Sequence, residues 1–292
     1  MTIHGSCLCR TLRYEIDPPF TVMMHCHCSM CRKHHGAPFA TFAAAPLAQF
    51  RWLNGEDSVG CYASSPNGKR GFCRVCGSVA PMLVPEMAVA VLPAGTLDDD
   101  PGIRPQAHMF TGSKARWHTI CDSLPQHDAF PPEFGTVKPV ERASVDEEAG
   151  KTLGSCLCGD VAYVIEGEPI VMYQCHCSRC RKARGAAHGA NLFYSLDKFH
   201  WLRGEERVAI YRPPEAQRFA SAFCRQCGGA VPTVSHERRT VVAPAAALDT
   251  DPGMLPMAHI FVGSKAPWFE ITDALPQIQE RPPMPPQATA PR

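Results

Sequence analysis

The sequence predicts an all-β fold built from two tandem copies of one domain. Three observations lead to this prediction. The chain of 292 residues repeats itself along most of its length, and short segments alternate apolar and polar residues with the two-residue period of a β-strand. Pro, Gly and Asp residues that form turns separate these segments at close spacing.

The repeat is carried by motifs that recur in the same order in both copies. The first two pairs are 149 positions apart and the last two are 151 positions apart: 5–9 with 154–158, 26–33 with 175–182, 72–77 with 223–228, and 108–114 with 259–265. The second copy therefore contains two additional residues, in a loop between 211 and 219.

Two copies of so long a unit are too few for a solenoid. We therefore predict two tandem domains, at residues 1–127 and 150–280, that pack on each other as a pseudo-dimer. Residues 128–149 contain several prolines and an acidic run, a composition that indicates a linker. Residues 281–292 form a Pro-rich tail.

The β-strand pattern is visible in both copies. Leu12, Tyr14 and Ile16 alternate with polar residues, and the matching positions 161, 163 and 165 are also apolar, although apolar residues lie between them. Short apolar runs bounded by turn residues predict further strands at 39–44, 79–84, 87–92 and 240–247. One short helical turn is expected at 28–35.

Composition excludes several classes of protein. The formal net charge of +1 offers no electrostatic footprint for a nucleic acid or an anionic membrane. The chain has no apolar run long enough to cross a membrane, and its start lacks the regions of a signal peptide, so we expect a cytoplasmic protein. Clustered close pairs of cysteines in such a chain indicate metal ligands rather than disulfides. Two isolated cysteines, Cys61 and Cys121, are predicted to be buried, inert thiols.

Four cysteines in each copy have the spacing of a closed structural zinc site. A Cys-x-Cys pair on a strand sends both side chains to one face, and a Cys-x-x-Cys-Gly turn points two sulfurs at one metal ion. The alternative is a redox-active pair or a set of free buried thiols. The predicted ligands are Cys7, Cys9, Cys73 and Cys76 in the first copy and Cys156, Cys158, Cys224 and Cys227 in the second.

Three further cysteines in each copy form a second cluster, Cys26, Cys28 and Cys31, matched by Cys175, Cys177 and Cys180. Three sulfurs leave one position of a tetrahedral zinc ion for water or a substrate. The one nearby histidine present in both copies is His27, matched by His176, and it lies between two of the cysteines. An open three-cysteine site, a site closed by this histidine, and an empty or redox-active triplet all remain open at this point.

Basic and hydroxyl residues beside these clusters are candidate contacts for a substrate. Two cations follow each triplet and could offset its negative charge or hold an acidic substrate, although solvated surface cations are the alternative. The motif at 112–117 and its copy at 263–268 predict a turn that contacts a ligand, or else a packing role for the tryptophan. The candidates are Arg32, Lys33, Ser113 and Lys114, with Arg181, Lys182, Ser264 and Lys265.

Taken in order, these motifs resemble the glutathione-dependent formaldehyde-activating enzyme family, which also includes centromere protein V. The resemblance covers nearly all of each copy and rests on Gly-Ser-Cys-x-Cys, Cys-His-Cys-Ser-x-Cys-Arg-Lys, Phe-Cys-x-x-Cys-Gly and His-Ile-Phe-Val-Gly-Ser-Lys-Ala-Pro-Trp. It implies two tandem zinc-binding β-tent domains of antiparallel strands. Each domain would hold a structural zinc on its four cysteines and a second zinc on its triplet, which makes four zinc ions per chain.

The resemblance also implies a carbon–sulfur lyase-type activity, the reversible joining of glutathione to formaldehyde. We therefore expect an enzyme that joins a thiol, glutathione, to formaldehyde or another small aldehyde at the open zinc sites. His27 and His176 are candidates for proton transfer. The alternatives are a non-catalytic zinc module that binds a ligand or partner, and a thiol redox sensor.

Overall fold

The structure, a computed structural model, describes residues 1–66, 68–132 and 148–282. We call the described residues up to 132 the first half and those from 148 onward the second half. Most of the predicted linker at 128–149 and of the predicted tail at 281–292 lies outside the described residues. Within them, α-helix is confined to two seven-residue segments, and the remaining regular structure is β-strand with short 3-10 turns.

The first half contains twelve strands and one helix in the described residues. They are β1 (Ile3–Ser6), β2 (Arg13–Ile16), β3 (Val22–Cys26), α1 (Ser29–His35), β4 (Ala40–Pro46), β5 (Phe50–Asn54), β6 (Val59–Ser65), β7 (Gly68–Cys73), β8 (Val79–Ala80), β9 (Met82–Val84), β10 (Val89–Pro93), β11 (Ala107–Met109) and β12 (Gln126–His127).

The second half repeats this order with eleven strands in the described residues, because no strand there corresponds to β8. Its elements are β13 (Lys151–Ser155), β14 (Ala162–Glu166), β15 (Val171–Cys175), α2 (Ser178–Arg184), β16 (Gly189–Ser195), β17 (Phe199–Arg203), β18 (Val208–Tyr211), β19 (Ser221–Cys224), β20 (Thr233–Ser235), β21 (Thr240–Pro244), β22 (Ala258–Ile260) and β23 (Gln277–Ile278).

The strands form matching sheets in the two halves. A three-stranded sheet β1-β2-β5 corresponds to β13-β14-β17, and a six-stranded sheet β12-β11-β3-β4-β10-β9 corresponds to β23-β22-β15-β16-β21-β20. A smaller sheet holds β6-β7-β8 in the first half and β18-β19 in the second. The prediction of a nearly all-β chain with two similar halves is confirmed, whereas the domain boundaries stay a prediction.

The six-stranded sheets are mixed rather than purely antiparallel. Strand β11 runs parallel to β3 and places His108 opposite His25, and β22 runs parallel to β15 and places His259 opposite Gln174. Parallel neighbours need a long connection, and here that connection carries most of each half. This pairing brings the end of each half beside the first cysteine of its triplet.

The predicted strands follow from burial of alternate residues. Tyr14 and Ile16 of β2 are fully buried, whereas Arg13 is exposed, as the two-residue period requires. The run at 87–92 differs from its prediction because residues 85–87 form a 3-10 turn and the strand begins only at Val89. The predicted helical turn is present as α1, which begins after Cys28 and is capped at its C-terminus by Gly36 in the left-handed conformation.

The hydrophobic cores exchange side chains between the halves. Trp268, 2% exposed, packs with Ala266 into the first-half cluster that contains Tyr14 and Leu92. Trp117 and Ala115 pack in the same manner into the second-half cluster around Tyr163 and Leu192. The turn motifs predicted to contact a ligand therefore place their tryptophan in the core of the opposite half.

The Cys-x-x-Cys-Gly turns interlock across the same interface. Gly77 has φ of +75°, and a Cβ on it would lie 2.3 Å from the Phe223 ring; Gly228 has φ of +67° and faces Phe72 at the same distance. Glycine is needed at both positions because of the positive φ and because the opposite half approaches so closely. The phenylalanine rings contact each other edge-on, with centroids 6.3 Å apart.

Candidate functional site

The four-cysteine clusters contain the predicted cysteines, but the prediction that each Cys-x-Cys pair lies on a strand is wrong, because the pair lies in a turn after β1 or β13. The Sγ atoms of Cys7, Cys9, Cys73 and Cys76 all lie within 4.8 Å of one another, as do those of the matching second-half cysteines. Cys7 and Cys9 follow β1, Cys73 ends β7, and the Gly77 amide donates a hydrogen bond to the Cys73 carbonyl to close the turn.

The sulfur separations fit a tetrahedral metal ion. Cys7 and Cys9 Sγ atoms lie 3.4 Å apart and Cys9 and Cys73 Sγ atoms 3.7 Å apart. The second cluster has separations of 3.4 and 3.8 Å. A zinc ion bound at about 2.3 Å by four thiolates sets its sulfurs roughly 3.8 Å apart, whereas a disulfide needs about 2.05 Å. The donor set therefore suits a closed metal site.

Each triplet is built at the start of a short helix. Cys26 ends β3, Cys28 caps the N-terminus of α1, and Cys31 lies in its first turn, where its amide donates to the Cys28 sulfur at 3.3 Å. The three sulfurs lie within 4.8 Å of one another, and Cys175, Cys177 and Cys180 repeat the arrangement. The sulfurs converge on one point, as three ligands of one metal ion would.

His27 is turned toward another histidine. Its Nε2 lies 2.8 Å from His108 Nδ1, and His108 Nε2 lies 3.0 Å from both carboxylate oxygens of Asp122. The carboxylate accepts from His108, so we assign the His27 Nε2 proton to the bond with His108. His27 Nδ1 is then a lone-pair acceptor, and it is buried without a hydrogen-bond partner.

The second half repeats this His-His-Asp chain. His176 Nε2 lies 2.8 Å from His259 Nδ1, and His259 Nε2 lies 2.9 Å from Asp273, while His176 Nδ1 is buried without a partner. Burial lowers the pKa of His27 to about 2, helped by the nearby His118 and His108, and burial lowers that of His176 to about 3. Both histidines are therefore neutral at physiological pH.

The two triplets have different neighbours. Arg70 Nη1 donates to Cys31 Sγ at 3.4 Å. Burial acts to lower the Arg70 pKa, but the charges of Cys31 and Cys28 outweigh it and leave that pKa raised. Hydrogen bonds with Cys26 and Cys28 lower the pKa of Cys31 well below its ordinary value.

In the second triplet, the sulfur that corresponds to Cys31 contacts a neutral amide instead of a cation. Asn191 Nδ2 contacts Cys180 Sγ at 3.9 Å. Apolar rings lie against both triplets, with Phe110 and Phe130 at the first and Phe219 and Phe261 at the second. Phe130 belongs to the predicted linker, so the described start of that segment packs on the first triplet.

The candidate substrate contacts divide into two groups. Arg32 Nε donates to the His27 carbonyl, Arg181 Nε donates to the Ser264 carbonyl at 3.0 Å, and Lys114 Nζ donates to the His118 carbonyl at 2.9 Å. Lys265 donates to the Phe269 carbonyl in the same way. Charges from Arg32 and Lys114 act on His27, and those of their counterparts act on His176. These arginines and turn motifs thus gather beside each triplet histidine.

Lys33 and Lys182 instead cross to the opposite half. Lys33 Nζ donates to the Ser155 carbonyl at 2.8 Å and the Ala247 carbonyl at 2.9 Å, and pairs with Asp249 at 2.7 Å. Lys182 Nζ reaches the Thr96 carbonyl at 2.6 Å and pairs with Asp98. These two lysines therefore bond to the opposite half, whereas the arginines and turn-motif lysines bond within their own half.

A small cavity of about 30 Å³ lies between the halves. Every first-half position that lines it is matched by the equivalent second-half position, so the cavity lies on the axis that relates the halves. His108, Asp122, His259 and Asp273 are part of its wall. The triplet cysteines are not among its lining residues, and the two His-His-Asp chains extend from beside the triplets to this cavity.

Two predictions about isolated cysteines are wrong, because Cys61 and Cys121 are exposed. Cys61 lies on the outward face of β6, and Cys121 lies at the rim of the central cavity. An isolated cysteine carries no sequence pattern that distinguishes a buried thiol from an exposed one.

A family model for the glutathione-dependent formaldehyde-activating enzyme matches residues 2–113 and 151–264, which together exceed half of the chain. The chain belongs to this family. The two matches fall in the two halves, so this glutathione-dependent formaldehyde-activating enzyme family member has a tandem form.

Individual relatives of this family member cover less of the chain. An uncharacterized lyase of Schizosaccharomyces pombe is 32% identical over 74 residues, which is 25% of this chain and 52% of the relative. The chain thus spans about half the length of this curated relative. The crystal structure of a Rhodobacter sphaeroides protein is similar at 26% identity, covering 35% of this chain and 91% of that protein, with a TM-score of 0.28.

Sequence reasoning missed the second and third members of the His-His-Asp chains. The signal was present, because His108 and Asp122 recur as His259 and Asp273 at the same offset of 151 positions.

Of the described helices, neither is long and apolar enough to cross a membrane, and the cellular compartment stays a prediction.

Proposed function

We propose that this chain is a zinc-dependent, carbon–sulfur lyase-type enzyme that joins a thiol, glutathione, to formaldehyde or another small aldehyde. The observation that supports this most strongly is the pairing, in both halves, of three converging sulfurs with a buried His-His-Asp chain. Family membership and the lyase named among the relatives support the same reaction class.

In the proposed reaction the thiol sulfur forms a bond to the aldehyde carbon while the carbonyl π bond breaks, and the thiol proton ends on the carbonyl oxygen. At each reaction site, three protein sulfurs would hold one zinc ion. They belong to Cys26, Cys28 and Cys31 in the first half and to Cys175, Cys177 and Cys180 in the second. When bound there, zinc supplies Lewis acidity, which lowers the pKa of a coordinating thiol.

The chain's own residues would handle the proton. His27 Nδ1 and its counterpart on His176 are unpartnered acceptors beside the ligating cysteines. We propose that this atom accepts a hydrogen bond from the thiol and directs its proton to the carbonyl oxygen in one step, so that the imidazole stays neutral. His108 and Asp122 hold the required tautomer of His27, as a carboxylate orients a histidine in other general-base systems.

The carboxylates of glutathione would be held by the basic and hydroxyl groups beside the triplet histidines. Arg32, Ser113 and Lys114 form this set in the first half, with Arg181, Ser264 and Lys265 in the second. We propose a structural role for Lys33 and Lys182, because their ammonium groups are bonded to the opposite half. We also propose that the halves pack as a pseudo-dimer and that four zinc ions bind per chain, two of them on the four-cysteine clusters.

The test is adduct formation with the zinc-loaded chain. Exchange NMR with isotope-labelled formaldehyde and glutathione would measure the rate above the spontaneous reaction, and Cys26→Ser with Cys175→Ser should abolish the excess. Cys61→Ser, at an exposed cysteine outside the clusters, should leave it unchanged. Asp122→Asn with Asp273→Asn should reduce the rate while zinc content stays at the wild-type level. An excess rate that survives the triplet substitutions would overturn the proposal.

A non-catalytic zinc module is the second candidate, supported by the covering of both triplets with apolar rings. It predicts no adduct formation with any aldehyde and thiol, together with a ligand-dependent rise in the unfolding temperature. A redox sensor would instead release zinc reversibly under mild peroxide.

A further inference from the structure

The first triplet contains a cation that the second does not have at the same position. Arg70 lies on β7, half-buried, with Nη1 donating to Cys31 Sγ at 3.4 Å and Nε donating to Ser64 Oγ at 3.0 Å. The second bond fixes the plane of the guanidinium, so its charge is held against the sulfurs rather than directed to solvent.

The equivalent position in the second half, 151 residues later, is Ser221, which is buried and uncharged. Residue 219, two positions earlier, is a phenylalanine that packs against the second triplet, where the first half has Gly68. The hydrogen bond to Cys180 comes from the neutral amide of Asn191, at 3.9 Å. The same stretch of chain therefore presents a cation to one triplet and an aromatic ring to the other.

Other cations near the second triplet have different bonds or positions. Arg181 acts on Cys177 by charge, while its Nε donates to the Ser264 carbonyl. Arg184 acts on Cys180 by charge and occupies the position of His35. Arg70 differs from both because its guanidinium donates directly to a triplet sulfur.

We propose that Arg70 makes the first triplet the preferred site for an anionic fourth ligand, a thiolate, and that the second triplet binds the same ligand more weakly. This inference rests on the proposed function, because it requires zinc on the triplets. Three thiolates and one divalent ion have a net charge of −1, and an entering thiolate raises this to −2. A partly buried guanidinium in contact with one sulfur offsets that added charge in a poorly screened environment.

The experiment uses the full chain loaded with Co²⁺, in which thiolate-to-metal charge transfer absorbs light. Titration with glutathione should show a tight phase at the first triplet and a weak phase at the second. Arg70→Ser, which introduces the second half's residue, should weaken the tight phase roughly ten- to hundredfold, the order expected for the loss of one poorly screened charge interaction with the bound thiolate. Arg51→Ser, at a solvent-exposed arginine, should not change it.

Three further variants assign the phases and guard against misfolding. Cys175→Ser should retain the tight phase, and Cys26→Ser should retain the weak one. Arg70→Lys keeps the charge without the planar donor, so its affinity should fall between those of wild type and Arg70→Ser at equal cobalt content. Equal thiol affinity of wild type and Arg70→Ser, or a tight phase that disappears in Cys175→Ser, would overturn the inference. Adduct formation is measured separately, so a failure of the proposed function is distinguishable.

Discussion

The Lys33 ammonium lies 2.7 Å from the Asp249 carboxylate in the opposite half, and both side chains are largely buried. The Lys182–Asp98 pair repeats this contact in the other direction. Lys33 directly follows Arg32 in α1 and Lys182 directly follows Arg181 in α2, so each short helix contains both a triplet cysteine and an anchor to the opposite half. The geometry of each triplet is therefore tied to the interface between the halves.

We predict that Lys33→Met lowers the free energy of unfolding by about 3–5 kcal/mol, because it leaves the Asp249 charge and two backbone carbonyls without their partner. Denaturant unfolding of the zinc-loaded chain measures this change. Lys69→Met, at an exposed lysine, is the control and should have almost no effect. If Lys33 contacts the thiol substrate instead, the variant would keep its stability and raise the KM for glutathione.

We predict that Trp268→Ala destabilises the chain by about 3–5 kcal/mol, since it leaves a cavity in a packed core. The damage should appear in the first half, around Tyr14 and Leu92, although Trp268 belongs to the second. Hydrogen exchange resolved by peptide would show lost protection in β2 and β10. Leu53→Ala, at an exposed position, serves as control. Loss of protection confined to the second half would contradict the exchange of core residues.

We predict that the chain binds four zinc ions and that a chelator removes two of them first. The triplets offer three protein ligands each, whereas the four-cysteine clusters are closed. Elemental analysis and timed chelation measure the number and the order of release. Removal of the first two should change the unfolding temperature little, and removal of the other two should unfold the chain. Two or fewer zinc ions in the freshly purified protein would contradict this prediction.

We predict that the chain loses stability as the pH falls below about 6.5. Burial lowers the pKa of His118 to about 3, and it lowers those of His25 and His188 well below the ordinary value. Between the unfolded and folded pKa values the unfolded chain binds protons that the folded chain does not. Their contribution is therefore complete above about pH 6.5 and is lost as the pH falls, by up to about 1.4 kcal/mol per pH unit for each group.

The second half offers a matched variant for this test, because Phe269 occupies the position equivalent to His118. Between pH 6.5 and 5, His118→Phe should reduce the slope of the unfolding free energy against pH. The reduction should be at most about 1.4 kcal/mol per pH unit, which corresponds to the uptake of one proton. His236→Phe, at an exposed histidine, should leave the slope unchanged. Urea unfolding at several pH values with excess zinc measures the slopes, and equal slopes for wild type and His118→Phe would refute the assignment.

Much of the fold and of the metal clusters could be predicted from the sequence. The two-residue period located β2, and the recurrence of Cys-x-Cys with Cys-x-x-Cys-Gly paired cysteines that lie some 65 positions apart. These predictions succeed because side-chain alternation and ligand spacing are local properties of the chain, and the internal repeat provides the ligand spacing twice.

Only the tertiary structure decided which of the two halves a given side chain packs against or bonds to. Trp117 and Trp268 pack in the core of the opposite half, and the Lys33 ammonium pairs with Asp249 of the opposite half. Both contacts form because the two halves are packed against each other. The parallel pairing of β3 with β11 brings His108 to His27, which no local spacing indicates. By itself the sequence determined the two copies, their strands and their thiol clusters. Long-range packing decided which side chains contact those clusters, because such contacts depend on surfaces that exist only in the folded chain.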